Sequence, residues 1–130
     1  MANLLLDTQV LLWFLADEPR LKPAARELVS DPLNDVFVSA ASAWEITIKA
    51  SLGKLAVPPR IVQWLPAELA ANRLSALPIT VAHAAGVEQL PAHHADPFDR
   101  LLIAQARAEN LTVVTSDAQF EPYEVGLIRF

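Results

Sequence analysis

Two aspartates, Asp96 and Asp99, open the otherwise apolar stretch "DPFDRLLIAQA", residues 96–106. Three more acids stand at similar junctions: Asp7 after "NLLL", Glu45 inside "SAWEI", and Asp117 after "TVVTS". Carboxylates gathered in one place repel, so they either take up protons, with raised pKa values, or hold cations. A ligand set made only of oxygen suits Mg²⁺ or Mn²⁺ ahead of zinc or copper. Divalent ions held this way activate water and stabilise charge on a phosphoryl group. Brought together, these acids would therefore hydrolyse a phosphodiester or a phosphate ester.

Whether they meet depends on the elements that carry them. The run at 3–6 suits a strand buried on both faces, and 8–16 a helix after it. A helix opened by Pro23 covers 23–31, and 36–39 is a second strand. Residues 42–54 read as a helix stopped by Gly53, and 58–73 as a helix bent or broken near Pro66. Residues 74–79 form a short strand or extended link, 80–90 a short helix capped by Thr80, and 91–95 a loop. The clearest helix is 97–110; strand 112–116, a turn at 117–120 and a closing strand at 125–130 complete the chain. Strands alternating with helices predict an α/β domain around a mainly parallel sheet.

In such a sheet the strands run one way and the crossover helices run back, so helices start where strands end. Asp7 and Asp117 directly follow strands, and Glu45 and Asp99 lie near helix starts. All four are thus expected at the carboxyl edge, where open α/β folds place their ligands. Asp96 is expected just outside that cluster. Each acid also has a plain structural use. Asp7 and Asp96 can cap the helices after them, Glu45 can close a capping box with Ser42, and Asp117 can serve a turn. Those uses leave the shared edge unexplained.

Bulk composition narrows the classes. The chain has 130 residues, enough for one domain over 1–130 with a real core. Hydrophobic residues make up 53% and charged residues 19%, which excludes a disordered tail. The absence of cysteine excludes disulfides, thiolate zinc sites and cysteine nucleophiles; it fits a reducing compartment, and a cytoplasmic location is expected. The apolar N-terminus is interrupted by Asp7 and is too short to span a bilayer, so no membrane partner is expected. Net charge is −5 with no basic run, unlike a general electrostatic nucleic-acid binder.

Four segments in order, "LLLDT", "SAASAWEI", "DPFDRLLIAQA" and "TVVTSD", carry a family resemblance across nearly the whole chain. Together they resemble the PIN-domain nucleases, and more closely the VapC toxins of bacterial toxin–antitoxin pairs. The resemblance implies a PIN-like three-layer α/β/α fold and a Mg²⁺- or Mn²⁺-dependent endoribonuclease. Asp7, Glu45, Asp99 and Asp117 match the family's acidic quartet, and Asp96 a frequent accessory acid. Thr8, Thr115 and Ser116 match positions that support the quartet through hydrogen bonds. The implied partners are an RNA substrate, a second copy of the chain, and a small VapB-like antitoxin.

Two other α/β readings lack the residues they need. Haloacid-dehalogenase-like phosphatases need a second Asp two residues after the first, and that position is Gln9. A receiver domain needs a phosphoacceptor Asp after a middle strand, and "VFVSAAS" has none. A PIN-like module that binds RNA or protein without cutting remains an alternative. Lys49 shares a helix face with Glu45. It either pairs with Glu45, the preferred reading, or joins Lys54 and Arg100 in guiding an RNA backbone. His83, His93 and His94 are expected in structural or solvated roles. Trp13, Trp44 and Trp64 are expected in the core or in helix packing, although "VLLWFLA" is apolar on every side of a helix and must meet more than the sheet.

Overall fold

The computed structural model describes residues 1–130. Strands β1 (Asn3–Leu6), β2 (Asp35–Ser39), β3 (Ser75–Leu77), β4 (Thr112–Thr115) and β5 (Gly126–Arg129) form one sheet in the order β3-β2-β1-β4-β5. Every pairing is parallel, whereas the sequence pattern required only a mainly parallel sheet. The helices are α1 (Thr8–Leu15), α2 (Pro23–Ser30), α3 (Ala40–Ser51), α4 (Ile61–Ala71), α5 (Val81–Gly86) and α6 (Pro97–Glu109). The pleat sends alternate residues of β1 to opposite faces. Leu4 and Leu6 pack in one core with Val36, Val38 and Val114, Leu11 of α1, Val29 of α2, Ile46 of α3 and Leu65 of α4. Leu5 and Val113 pack in the other with Leu102, Ile103 and Ala106 of α6. The sheet is therefore sandwiched between helices, the three-layer arrangement the resemblance implied.

The strand order explains where a site forms. From central β1 the chain moves outward to β2 and β3, then crosses to β4 and β5 on the other side. The switch leaves a crevice beyond the carboxyl ends of β1 and β4. Asp7 and Thr115 stand there, since β1 ends at Leu6 and β4 at Thr115.

Several boundaries differ from the sequence pattern for identifiable reasons. Helix α3 begins earlier, because Ser39 caps it by accepting from the Ala41 N–H at 3.0 Å. Ser42 is consequently inside the helix, so the Ser42–Glu45 capping box does not form. Helix α4 starts only after Arg60, which adopts φ 60°, ψ 59°, because Pro58 and Pro59 hold the chain out of helical geometry. Pro66 lies within α4 without ending it. Strand β3 stops at Leu77, before Pro78, which has no N–H for a ladder. Thr80 caps α5 as expected, in a reciprocal box with His83, and the helix tightens into a 3₁₀ turn at Val87–Gln89. The expected turn at 117–120 is a 3₁₀ turn, Ala118–Phe120, capped by Asp117. No helix is long and apolar enough to cross a membrane.

Candidate active site

Asp7 is held from three sides. Its N–H donates to Val114 O at 3.0 Å, which ties it to β4. Its Oδ1 caps α1 by accepting from the Val10 N–H at 2.7 Å. Its Oδ2 accepts a short hydrogen bond from Thr115 Oγ1. Thr115 Oγ1 also accepts from the Asp117 N–H at 3.0 Å, so one hydroxyl positions two of the acids. Asp117 Oδ1 caps the next turn through the Gln119 N–H at 2.9 Å. Thr8 does not touch an acid; its hydroxyl donates to Ser42 Oγ at 2.9 Å and fastens α1 to α3. Structural capping and site formation are thus the same contacts, not competing explanations.

Glu45 enters from the second turn of α3 and is 4% exposed. Lys49, one turn on, donates from Nζ to Glu45 Oε2 at 2.6 Å. That is the ion pair preferred from spacing, and Glu45 holds the Lys49 ammonium above its ordinary value. Glu45 Oε1 is buried without any hydrogen-bond partner. Asp99 enters from the first turn of α6.

These residues line one cavity of about 490 Å³: Asp7, Glu45, Asp99 and Asp117, with Thr8, Ser116, Lys49 and Lys54. Asp96 lines it too, which corrects its expected place outside the cluster. Its cap explains this. Asp96 Oδ1 accepts from the N–H groups of Phe98 (2.9 Å) and Asp99 (3.1 Å), which brings it to the same helix end as Asp99. Gln9, Leu12 and Leu55 also line the cavity, and no sequence signal marked them. Arg100 does not. Its guanidinium donates to the carbonyls of Pro91 (2.9 Å), Val87 (3.4 Å) and Leu90 (3.4 Å) and to Tyr123 Oη (3.2 Å). It clamps the segment between the 3₁₀ turn and α6, apart from the cavity that Lys49 and Lys54 line.

The tryptophans divide. Trp13 and Trp64 pack partly buried against the core on the α1 side. Trp44 is 61% exposed and lies outside the core; it pairs with Phe98 of α6, at 5.6 Å between centroids in a T-shaped contact, the helix-packing half of the expectation. Of the histidines, His83 is buried in its capping box, as a structural role predicts. His94 lies 3.3 Å from Asp99 Oδ2 and therefore borders the site, which its sequence position did not reveal.

Electrostatics mark this cavity as short of positive charge. Burial pushes Asp7 up to about 6, against hydrogen bonds from Thr115 and Val10, with Asp117 and Glu45 adding repulsion. Burial pushes Asp99 up to about 7, helped by Asp96, Asp7, Glu45 and Asp117. Both groups bind a proton more tightly folded than unfolded. The stability this confers is complete below the ordinary value of 3.8 and is lost as pH rises through about 6 and about 7. In chelator, Asp99→Asn should accordingly gain thermal stability relative to the parent chain as pH rises from 5 to 8. A difference in melting temperature that stays flat over that range would contradict the repulsion.

The sequence pattern of the PIN domain family matches residues 4–125. The chain belongs to the PIN domain family. This PIN domain is 28% identical over 124 residues to Ribonuclease VapC22 of Mycobacterium tuberculosis, covering 95% of this chain and 93% of that protein. It is 40% identical over 70 residues to Ribonuclease VapC16 of the same organism, covering 51% and 48%. Its fold resembles a chain of VapBC2 from Rickettsia felis bound to a DNA fragment from their promoter. There the TM-score is 0.73 at 19% identity, over 98% of both chains.

Proposed function

We propose that this PIN domain is a metal-dependent endoribonuclease and the toxin of a VapBC-type toxin–antitoxin pair. One observation carries the reading: Asp7, Glu45, Asp99 and Asp117 line a single cavity where two of them are pushed up and Glu45 Oε1 lacks any partner. A buried carboxylate oxygen without a donor is costly, and a hard cation is the partner that this all-oxygen set fits. The names of the two ribonuclease relatives support the reading.

Asp7, Asp99 and Asp117 would hold Mg²⁺, with Mn²⁺ as a substitute, and Glu45 would complete the pocket. No three His, Asp or Glu side chains yet stand close enough to clasp one ion. Asp7 has both oxygens in hydrogen bonds and Lys49 holds Glu45 Oε2, so Glu45 Oε1 is free for an ion while the remaining contacts would need water or a shift of Lys49. A bound cation supplies Lewis acidity toward a phosphoryl oxygen and lowers the pKa of water. The protein's own part is positional. Thr115 and the two helix caps hold the carboxylates, and Leu12 and Leu55 add apolar lining. Lys49 and Lys54 line the same cavity; Lys49 is paired with Glu45, and Lys54 would offer positive charge to an RNA backbone.

The test is cleavage of RNA by the purified chain in Mg²⁺, abolished by chelator and restored by Mn²⁺. Retained RNA binding without cleavage would favour the non-cutting alternative. Asp96 separates from Asp99 in the same assay. Asp96→Ala should cost about 1 kcal/mol for the lost cap, read as a lower urea midpoint. Asp99→Ala should lose more activity than Asp96→Ala. The reverse order would mean that the roles of these two acids are exchanged.

Control would come from a small VapB-like protein. The acidic cavity favours an inhibitor that presents arginine, whose planar fork pairs with carboxylates. A second cavity of about 930 Å³ between α3 and α4, lined by Ile61, Leu65 and Leu69 with Val62 82% exposed, offers apolar surface for a helix of such a partner. We further propose that the chain is a homodimer. Co-purification with the product of the neighbouring reading frame, followed by a cleavage assay, tests the inhibitor. A bound partner that leaves cleavage untouched would sink the occlusion.

A further inference from the structure

We propose that His94 is a positioning residue for Asp99, locked in its Nε2–H tautomer by Tyr123 and Arg100. The inference rests on the nuclease reading for its consequence, although the lock itself is a property of the metal-free protein.

Proton placement follows from counting donors. Tyr123 is buried at 4% exposure, and a phenol has one hydrogen and two lone pairs. Its Oη receives the N–H of His94 at 3.3 Å and Arg100 Nη1 at 3.2 Å. The same Oη lies 2.8 Å from His94 Nδ1. A third donor would exceed the two lone pairs, so the phenol hydrogen points to Nδ1 and Nδ1 accepts. In the neutral ring the remaining proton is then on Nε2, which donates to Asp99 Oδ2 at 3.3 Å. Arg100 is held against Tyr123, because the carbonyls of Val87, Leu90 and Pro91 also accept from its Nη1 and Nη2. The phenol ring of Tyr123 also packs edge-on against the imidazole, with centroids 5.4 Å apart.

The direction of hydrogen bonding therefore runs from Arg100 to Tyr123 to His94 to Asp99. It anchors one oxygen of Asp99 with a neutral donor and leaves Oδ1 for a ligand. A lysine in that place would cancel the charge a cation needs; this imidazole orients the carboxylate and preserves its charge. Outer partners of a metal-binding carboxylate act in this way on affinity. The same contacts give the clamp at Arg100 a purpose beyond the loop.

Long-range ¹H–¹⁵N NMR of the metal-free chain reads the tautomer directly. The expected result is a His94 proton on Nε2, and loss of that preference in Tyr123→Phe. Mn²⁺ titration followed by electron paramagnetic resonance reads the consequence. His94→Ala should weaken Mn²⁺ binding by about tenfold. His94→Gln should stay within about threefold of the parent chain, because its amide places a donor near the position of Nε2. A proton on Nδ1 in the parent chain overturns the proposal. So does a folded His94→Ala variant that binds Mn²⁺ as tightly as the parent, or a His94→Gln variant no better than His94→Ala. A parent chain that binds no Mn²⁺ would overturn the nuclease reading instead, and the NMR result would still decide the lock.

Discussion

Asp99→Asn is expected to lower RNA cleavage by at least about 10²-fold, since metal-assisted charge stabilisation is worth several kcal/mol at about 1.4 kcal/mol per tenfold. Asparagine keeps the shape of the side chain and an acceptor for His94, but it brings no negative charge to a cation. The same change should raise thermal stability in chelator at neutral pH. It removes a carboxylate that burial and four neighbouring acids push up to about 7. Activity and stability thus move in opposite directions, which ordinary misfolding cannot produce. Mn²⁺ should then stabilise the parent chain more than the variant. Melting curves with and without Mn²⁺, beside single-turnover cleavage, check both halves. Cleavage at the parent rate would remove Asp99 from the site.

Thr115→Val should cost about 1–3 kcal/mol of stability, the usual penalty for stranding buried hydrogen-bonding groups. Valine has nearly the volume of threonine, so packing in β4 is preserved while the hydroxyl is lost. Two groups lose their partner together: Asp7 Oδ2 and the Asp117 N–H. Without the Thr115 hydrogen bond, which lowers it, the Asp7 carboxyl rises further. Cleavage should fall by about 10- to 100-fold, as for other outer partners of metal ligands. Thr115→Ser restores the hydroxyl and should recover most of both. Urea midpoints and kcat for the pair of variants decide the matter. Equal activity for Thr115→Val and the parent chain would show that the hydroxyl holds the strand end without holding the acids.

Much of this arrangement is legible along the chain because it is local. "NLLL" is a short apolar run and "TVVTS" a short β-branched one, both suited to strands, and the acid after each then lies at a strand end. Asp96 and Thr80 stand at cap positions, and the structure finds them capping. A parallel α/β arrangement then sends Asp7, Asp117, Glu45 and Asp99 toward one edge. That inference needs only strand direction, not the order of strands.

Tertiary structure alone decided the rest, since periodicity reports which face is buried and not what stands opposite it. The strand order β3-β2-β1-β4-β5 sets Thr115 against Asp7 across 108 residues of chain. Tyr123 packs against both His93 and His94, and only its hydrogen bond to His94 Nδ1 across 29 residues, with Asp99 on the other ring nitrogen, distinguishes His94 from its neighbour. Arg100 has the charge to attract a phosphate, yet the carbonyls of Val87, Leu90 and Pro91, before α6, claim it first. Trp44 has the hydrophobicity of a core residue, yet its side of α3 faces solvent. In each case residue type set what the group can bind, and the packing of crossover helices on the sheet set which partner came within reach.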